Sequence, residues 1–217
     1  MNFEPRTLNF NLPKIYPITD FRLTKISHAE QVEKLIEGGA EIVQLREKYA
    51  APKDFYESAK KALKIARRQN VKIIINDRVD IALVLKADGV HLGQDDLPPK
   101  NAREILGEKA IIGFSTHNIT QAISAVKLPI DYLAIGPVFA TKTKENPDEI
   151  VGIEGVKKVR EAVGDFPLVA IGGITLENFQ DVLDAGANSV AIISDLLSDA
   201  EKIAEKMRIL IGSRKIS

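Results

Sequence analysis

Short runs of β-branched and other apolar residues alternate with longer stretches of helical period along the whole chain. The runs at 14–19, 42–46, 71–76, 89–92, 110–115, 132–135, 167–171 and 189–193 read as strands, eight in all. Between them, sets such as Phe55, Ala59, Ala62, Leu63 and Ala66, or Leu196, Ala200, Ile203, Ala204, Met207 and Ile211, are spaced to lay one apolar face on a sheet. Strands this rich in Ile and Val, with few polar interruptions, suit a parallel sheet covered by helices. A doubly wound open sheet would satisfy the same alternation. Eight units in a short chain, with no G-x-G-x-x-G after the first strand, favour closure, so the expected fold class is α/β, a single (β/α)8 TIM barrel.

No linker or shift in composition divides the chain, so residues 1–217 are expected to form one domain. Residues 1–13, with Phe3, Leu8, Phe10 and Leu12 alternating with polar positions, are expected to be an N-terminal extension packing on the barrel. A weak internal repeat accompanies the strand count. Strands 2, 4, 6 and 8 begin alike, with Ala40-Glu41, Ala87-Asp88, Ile130-Asp131 and Ala187-Asn188. This suits a barrel built of β-α-β-α quarters, although any buried strand after a helix would look similar.

Composition narrows the function. Thirty Lys and Arg balance thirty Asp and Glu, so no overall field draws the protein to nucleic acid or to anionic membranes, and any anion site is local. The absence of Cys removes disulfides, thiolate metal sites and cysteine nucleophiles. There is no secretory signal pattern at the start, and no run approaches the roughly 18 apolar residues that a membrane helix needs. The expectation is a cytoplasmic protein without nucleic-acid or membrane partners, acting on small molecules; a homo-oligomer remains open.

In a barrel, chemistry collects at the carboxyl ends of the strands. Those positions are strongly polar here: Gln44 to Lys48 after strand 2, Asn76-Asp77-Arg78 after strand 3, Gln94-Asp95-Asp96 after strand 4, and Ser115-Thr116-His117 after strand 5. Strand 6 leads to Thr141-Lys142-Thr143-Lys144, strand 7 to Gly172-Gly173, and strand 8 to Ser194. Taken singly, Asp77 and Asp96 could be helix caps and the lysines merely solvated. Taken together, they suggest two anion sites. One lies after strands 7 and 8, where Gly172-Gly173 and Ile193-Ser194 precede helices and a phosphate can rest on backbone N–H groups. The other joins Arg46, Lys48 and Lys144 to Asp77 and Asp96. Carboxylates repel a phosphate unless a hard cation lies between, so a Mg²⁺-bridged diphosphate is predicted. Walker A, H-E-x-x-H and G-x-S-x-G motifs are absent. Of the three histidines, His28 is read as a surface residue at a helix start and His91 as a satisfied core residue, leaving His117 placed to act.

These strand ends resemble those of the thiamine phosphate synthase (thiamine-phosphate pyrophosphorylase) family from Ile15 onward. The resemblance rests on Gln44-Leu45-Arg46-Glu47-Lys48, Ile75-Asn76-Asp77-Arg78, the run from Asp88 to Asp96, Gly113-Phe114-Ser115-Thr116-His117, Gly136-Pro137-Val138-Phe139 followed by Thr141 to Lys144, and Ala170-Ile171-Gly172-Gly173-Ile174. It implies a transferase of thiamine biosynthesis, joining hydroxymethylpyrimidine diphosphate to hydroxyethylthiazole phosphate with release of diphosphate. It further implies Asp77 and Asp96 as Mg²⁺ ligands, and Gln44, Leu45, Arg46, Glu47, Lys48, Asn76, Ser115 and Lys144 as the pyrimidine-diphosphate site. Arg46, Lys48, Ser115 and Lys144 would be catalytic. Thr141, Lys142, Thr143, Gly173, Ile193 and Ser194 would form the thiazole-phosphate site.

The loop 136–152 is expected to close over the substrates, since a cationic intermediate must be kept from water. Asp195 departs from the family pattern, which has a small apolar residue there; a carboxylate beside a phosphate is unfavourable unless it turns away and caps the last helix. Ala140 and Pro129-Ile130 also depart, away from the charged positions. Two alternatives stand beside this reading: a metal-free thiazole tautomerase using His117, and a non-catalytic binder of phosphorylated ligands. Neither needs paired aspartates.

Overall fold

The computed structural model describes residues 11–141 and 148–212. Eight parallel strands close into a barrel in chain order. They are β1 (Ile15–Asp20), β2 (Ile42–Arg46), β3 (Lys72–Asn76), β4 (Gly89–Leu92), β5 (Ile111–Thr116), β6 (Tyr132–Ile135), β7 (Leu168–Ile171) and β8 (Ser189–Ile192). Closure is made by β1 against β8, with Ile15 opposite Val190. β2, β4 and β6 fall where the apolar runs place them, β3, β7 and β8 are one residue shorter at one end, and β1 and β5 are displaced by one residue. At β1 the shift has a cause: Asp20, too polar to be read as strand, pairs in register with Arg46 of β2.

Side chains alternate along each strand between two apolar layers. The interior set comprises Tyr16, Ile18, Ile42, Ile74, Ile111, Tyr132, Ala134, Val169 and Ala191. The larger outer set, including Val43, Leu45, Ile73, Ile75 and Val90, meets the helices. The helix Pro52–Arg68 buries Phe55, Ala59, Ala62, Leu63 and Ala66, the face its spacing predicts. The C-terminal pattern is not one helix. Asp199 accepts from the Glu201 N–H and restarts the chain, giving Ser194–Leu197, a 3-10 turn Ala200–Lys202 and the helix Ile203–Gly212. The restart moves the inward position to Leu210 and leaves Ile211 exposed.

The quarter repeat has a physical basis at the amino-terminal rim. Asp88, Asp131 and Asn188 each accept a backbone N–H of the preceding strand region, from Ile73 at 2.9 Å, Ile112 at 2.7 Å and Leu168 at 2.9 Å. An arginine on the helix two strands earlier clamps each of these turns. Arg67 donates to the carbonyls of Leu85 and Lys86, Arg103 to the Pro129 carbonyl and Asp131, and Arg160 to the Gly186 carbonyl and Asn188. The β2 quarter differs in its arginine: Arg208 pairs with the Glu37 carboxylate. Arg103 and Asp131 are both buried and 2.7 Å apart, so removing either would strand a charge at about 3–5 kcal/mol. This rim carries stability, which leaves the opposite rim to chemistry.

Candidate active site

A cleft of about 500 Å³ opens at the carboxyl ends of the strands, within the range of small-molecule sites. Inward alternation on β2 delivers Gln44, Arg46 and Lys48 to it, and Asn76 and Asp77, His91, and Ser115 arrive from the ends of β3, β4 and β5. Asp96, Thr141, Gly173, Ile193 and Ser194 complete the wall, so both expected anion sites open on one cleft. Leu45 and Glu47 do not reach it. They occupy the outward positions of the same alternation: Leu45 is buried in the layer under the helices. Glu47 accepts the N–H groups of Tyr49 and Ala50 at 3.0 and 3.2 Å. Lys142, Thr143 and Lys144 lie outside the described residues, as does the middle of the loop 136–152. The flanks of that loop are pinned, the Val151 and Gly152 N–H groups donating to the Pro137 and Val138 carbonyls at 2.9 and 3.1 Å.

The acidic pair is not a pair of helix caps. The cap positions of the helices that follow are Arg78 and Pro98. Asp77 sits at φ 63°, in the left-handed region, with its carboxylate held by the Lys48 ammonium. Asp96 folds back to accept the Gly93 N–H at 2.7 Å. Burial pushes the Asp77 carboxyl above its ordinary range; Lys48 draws it down, and Asp96 pushes it up again. A carboxylate beside the buried Asp77 raises the cost of ionising it, and a cation between them relieves that cost. Among the described residues no third His, Cys, Asp or Glu joins them as a metal cluster. Two carboxylate ligands, with the rest left to water and phosphate oxygens, suit Mg²⁺ better than a metal that needs an all-protein cage.

Arg46 is held by Asp20 in a nearly buried pair, which fixes the guanidinium at the rim. Asn76 presents a buried side-chain N–H₂ with no hydrogen-bond partner among the described residues. Such an orphan donor lining a cleft is one a ligand can satisfy. Gly172 and Gly173 adopt φ 102° and 65°, and a Cβ on either would strike the Pro137–Ala140 segment at 2.6 Å. Their freedom therefore seats the β6 loop on the β7 loop. Asp195 turns away from the cleft, but not to cap the last helix: its carboxylate accepts the Leu176 N–H at 3.1 Å. The unfavourable charge is thereby spent on the turn after β7.

The histidines divide differently from the sequence reading. His28 is buried rather than on the surface, with Nδ1 2.7 Å from Thr19 Oγ1 and Nε2 3.5 Å from Glu47 Oε2. Burial lowers its basicity and Glu47 partly restores it. Ser27 ahead of it makes a capping box with Glu30, so the helix begins at the surface while its first residue turns inward. His91 is a satisfied buried residue as expected, yet it also touches the cleft. His117 lines the cleft with Nδ1 2.9 Å from the Gly136 carbonyl and 3.3 Å from Asp148. Tyr16 and Gln121 also line the cleft and were missed. Tyr16 reads as core from sequence, and only its inward phase with Ile18 could have shown that it meets the site.

Comparison with known proteins gives the family and agrees with the barrel fold. The family model described as thiamine monophosphate synthase matches residues 15–196. A thiamine-phosphate synthase of Chloroflexus aurantiacus is 42% identical, covering 92% of this chain and 93% of that protein. One of Clostridium novyi is 46% identical over 86% of this chain and 91% of that protein. A solved structure titled thiamine phosphate pyrophosphorylase from Pyrococcus furiosus superposes with a TM-score of 0.82 at 38% identity, covering 92% of this chain and 94% of the other. The motifs at the strand ends, the closed barrel and these relatives agree: the chain belongs to the thiamine monophosphate synthase family and is a transferase.

Proposed function

We propose that this chain condenses 4-amino-2-methyl-5-hydroxymethylpyrimidine diphosphate with hydroxyethylthiazole phosphate, giving thiamine phosphate and diphosphate. The observation that carries the reading is the convergence of Arg46 and Lys48 with the pair Asp77 and Asp96 on one cleft. The reacting carbon is a methylene on an electron-rich aminopyrimidine, so loss of diphosphate leaves a stabilised cation for the thiazole nitrogen to capture. That nitrogen carries no proton, and no general base is required. The barrier lies in the departing charge. Arg46, fixed by Asp20, and Lys48 are set to receive it, with Lys144 as a further cation; one such preorganised contact is worth about 3 kcal/mol, or roughly 10²–10³ in rate.

Mg²⁺, bound by Asp77 and Asp96, would supply Lewis-acid neutralisation of the leaving diphosphate. Lys48 draws the Asp77 carboxyl towards its ionised form against the effect of burial. Gln44, Asn76 and Ser115 bind the pyrimidine diphosphate, which would give the unpartnered Asn76 amide nitrogen an acceptor. Thr141, Lys142, Thr143, Gly173, Ile193 and Ser194 receive the thiazole phosphate, an assignment helped by Asp195 facing away. Residues 136–152 close over both substrates. Alignment of the two substrates in the single cleft supplies the remaining acceleration.

The tautomerase alternative rests on His117, whose Nδ1 is taken by a backbone carbonyl, and a mere phosphate binder has no use for Asp77 and Asp96. The chain acts as one domain; most of the extension 1–13 lies outside the described residues, and within it Leu12 packs against the interior layer. Its balanced charge fits a cytoplasmic enzyme without nucleic-acid or membrane partners; no helix among the described residues is long and apolar enough to cross a membrane. The test is mass analysis of the product formed from the two phosphorylated substrates. Thiamine phosphate supports the proposal, and its absence with both substrates present overturns it.

A further inference from the structure

Five side chains form an unbroken hydrogen-bond chain through the barrel interior. Gln44 Nε2 donates to the Tyr16 hydroxyl at 3.3 Å, and the Tyr16 and Tyr132 hydroxyls are 2.9 Å apart. The Tyr132 hydroxyl is 3.0 Å from His91 Nδ1, and His91 Nε2 is 2.8 Å from Ser115 Oγ. Both ends of the chain line the cleft, while Tyr132 is fully buried. The proposed chemistry gives Tyr132 and His91 no task, yet the fold goes to some length to house them. A Cβ at Gly113 would lie 2.1 Å from Tyr132 Cζ and 2.5 Å from His91 Nδ1, so β5 must carry glycine there. The imidazole stacks on the phenol ring at 5.5 Å.

Such a chain has a direction. Each hydroxyl has one proton to give, and a neutral imidazole has one N–H and one acceptor nitrogen. His91 is buried with both ring nitrogens on neutral hydroxyls and no carboxylate bonded to its ring, the setting of a neutral imidazole. The Gln44 amide nitrogen can only donate, and the one arrangement that gives every hydroxyl proton before Ser115 a partner within the chain has Tyr16 donating to Tyr132 and Tyr132 donating to His91 Nδ1. The imidazole proton then sits on Nε2 and points at Ser115 Oγ. Acidity argues the same way: a phenol is a better donor and a poorer acceptor than a serine hydroxyl, so Tyr132 is the group that donates to the imidazole. The proton left over is that of Ser115.

We infer that this chain fixes the Ser115 hydroxyl as a hydrogen-bond donor into the cleft, aimed at an acceptor atom of the pyrimidine diphosphate, with Tyr132 and His91 as positioning residues. The inference rests on the reading of Ser115 as part of the pyrimidine site. Long-range ¹H–¹⁵N correlation NMR on the full chain reads the His91 tautomer directly. The chain has three histidines, so substituting His28 and His117 in turn assigns the signals. The expected result is the Nε2–H tautomer; the Nδ1–H tautomer would reverse the chain and overturn the inference. Kinetics of Tyr132→Phe, Ser115→Ala and the double variant supply the second arm. Tyr132→Phe is expected to lower kcat/KM for the pyrimidine diphosphate about tenfold, to leave KM for the thiazole phosphate unmoved, and to cost less than about twofold in the Ser115→Ala background. Additive losses would overturn the inference. Wild-type kinetics for Ser115→Ala together with the Nε2–H tautomer would place the failure in the substrate reading of Ser115, and the inference would fall with it.

Discussion

Gly113→Ala is the sharpest probe of the barrel interior. The added methyl would sit 2.1 Å from Tyr132 Cζ, 2.3 Å from the Tyr132 hydroxyl and 2.5 Å from His91 Nδ1. Carbon atoms pack at about 3.5–4.0 Å, so the overlap exceeds an ångström, and it falls on rigid rings in a closed interior. Neither ring can swing clear, because Tyr132 also meets Tyr16 edge-on at 5.9 Å and stacks with His91. Overpacking of this kind costs about 1–3 kcal/mol. Separating Tyr132 from His91 strands a buried polar group for about 1–3 kcal/mol more. The expected loss is therefore about 4 kcal/mol, and at about 2–4 °C per kcal/mol for a chain of this size Tm falls by roughly 8–16 °C. Thermal unfolding followed by circular dichroism measures it. Gly212→Ala is the control, since nothing lies within 4 Å of its Cβ and Tm should hold or rise. Activity of Gly113→Ala, assayed well below its Tm, should also fall, because Ser115 loses its anchor. A Tm within about 3 °C of wild type would refute the packing argument.

Asp96→Asn should lower turnover by roughly 10²–10³ with little change in Tm, since the amide oxygen still accepts the Gly93 N–H. Asp96→Ala should lose the same turnover and about 1 kcal/mol of stability besides; normal turnover in either variant removes Asp96 from the metal site. Lys48→Met removes the cation that draws the Asp77 carboxyl down, so the acid limb of the pH–rate profile should move to higher pH; an unmoved limb would separate Asp77 from the reaction. His91 resists protonation in the folded state, at about 4 against 6.5. Its contribution is complete above pH 6.5 and is lost as the pH falls through that value towards 4, about 3 kcal/mol in all. Urea unfolding at pH 7 and pH 4 should show that much smaller a decline in His91→Asn than in wild type, and equal declines would contradict it.

The barrel was legible because its strands are buried on both sides and therefore written as uninterrupted Ile and Val runs, as at Ile73-Ile74-Ile75. The charged rim was legible too, since Arg46, Lys48, Asp77 and Asp96 stand next to those runs. What failed to show was direction within a motif. Leu45 and Glu47 share a run with Gln44 and Arg46, yet the two-residue period of a strand sends them the other way. His28 was hidden for a related reason: a helix start is a surface feature in sequence, but Thr19 and Glu47, distant in the chain, close over it. The glycines after β7 and in β5 were visible as motif letters. Their cause is close contact with Pro137 and Phe139 in one case and with the Tyr132 ring in the other, contacts that only the closed barrel creates.

The central claim is that the cleft carries diphosphate away from a carbon centre with the help of a cation held by Asp77 and Asp96. The direct measurement is diphosphate release by the purified chain given both substrates, with Mg²⁺ and again with EDTA, in wild type and in Asp77→Asn. The account predicts rapid release with Mg²⁺, loss in EDTA, and a variant that stays slow at any Mg²⁺ concentration. Release that is indifferent to EDTA, or an Asp77→Asn variant as fast as wild type, would contradict it.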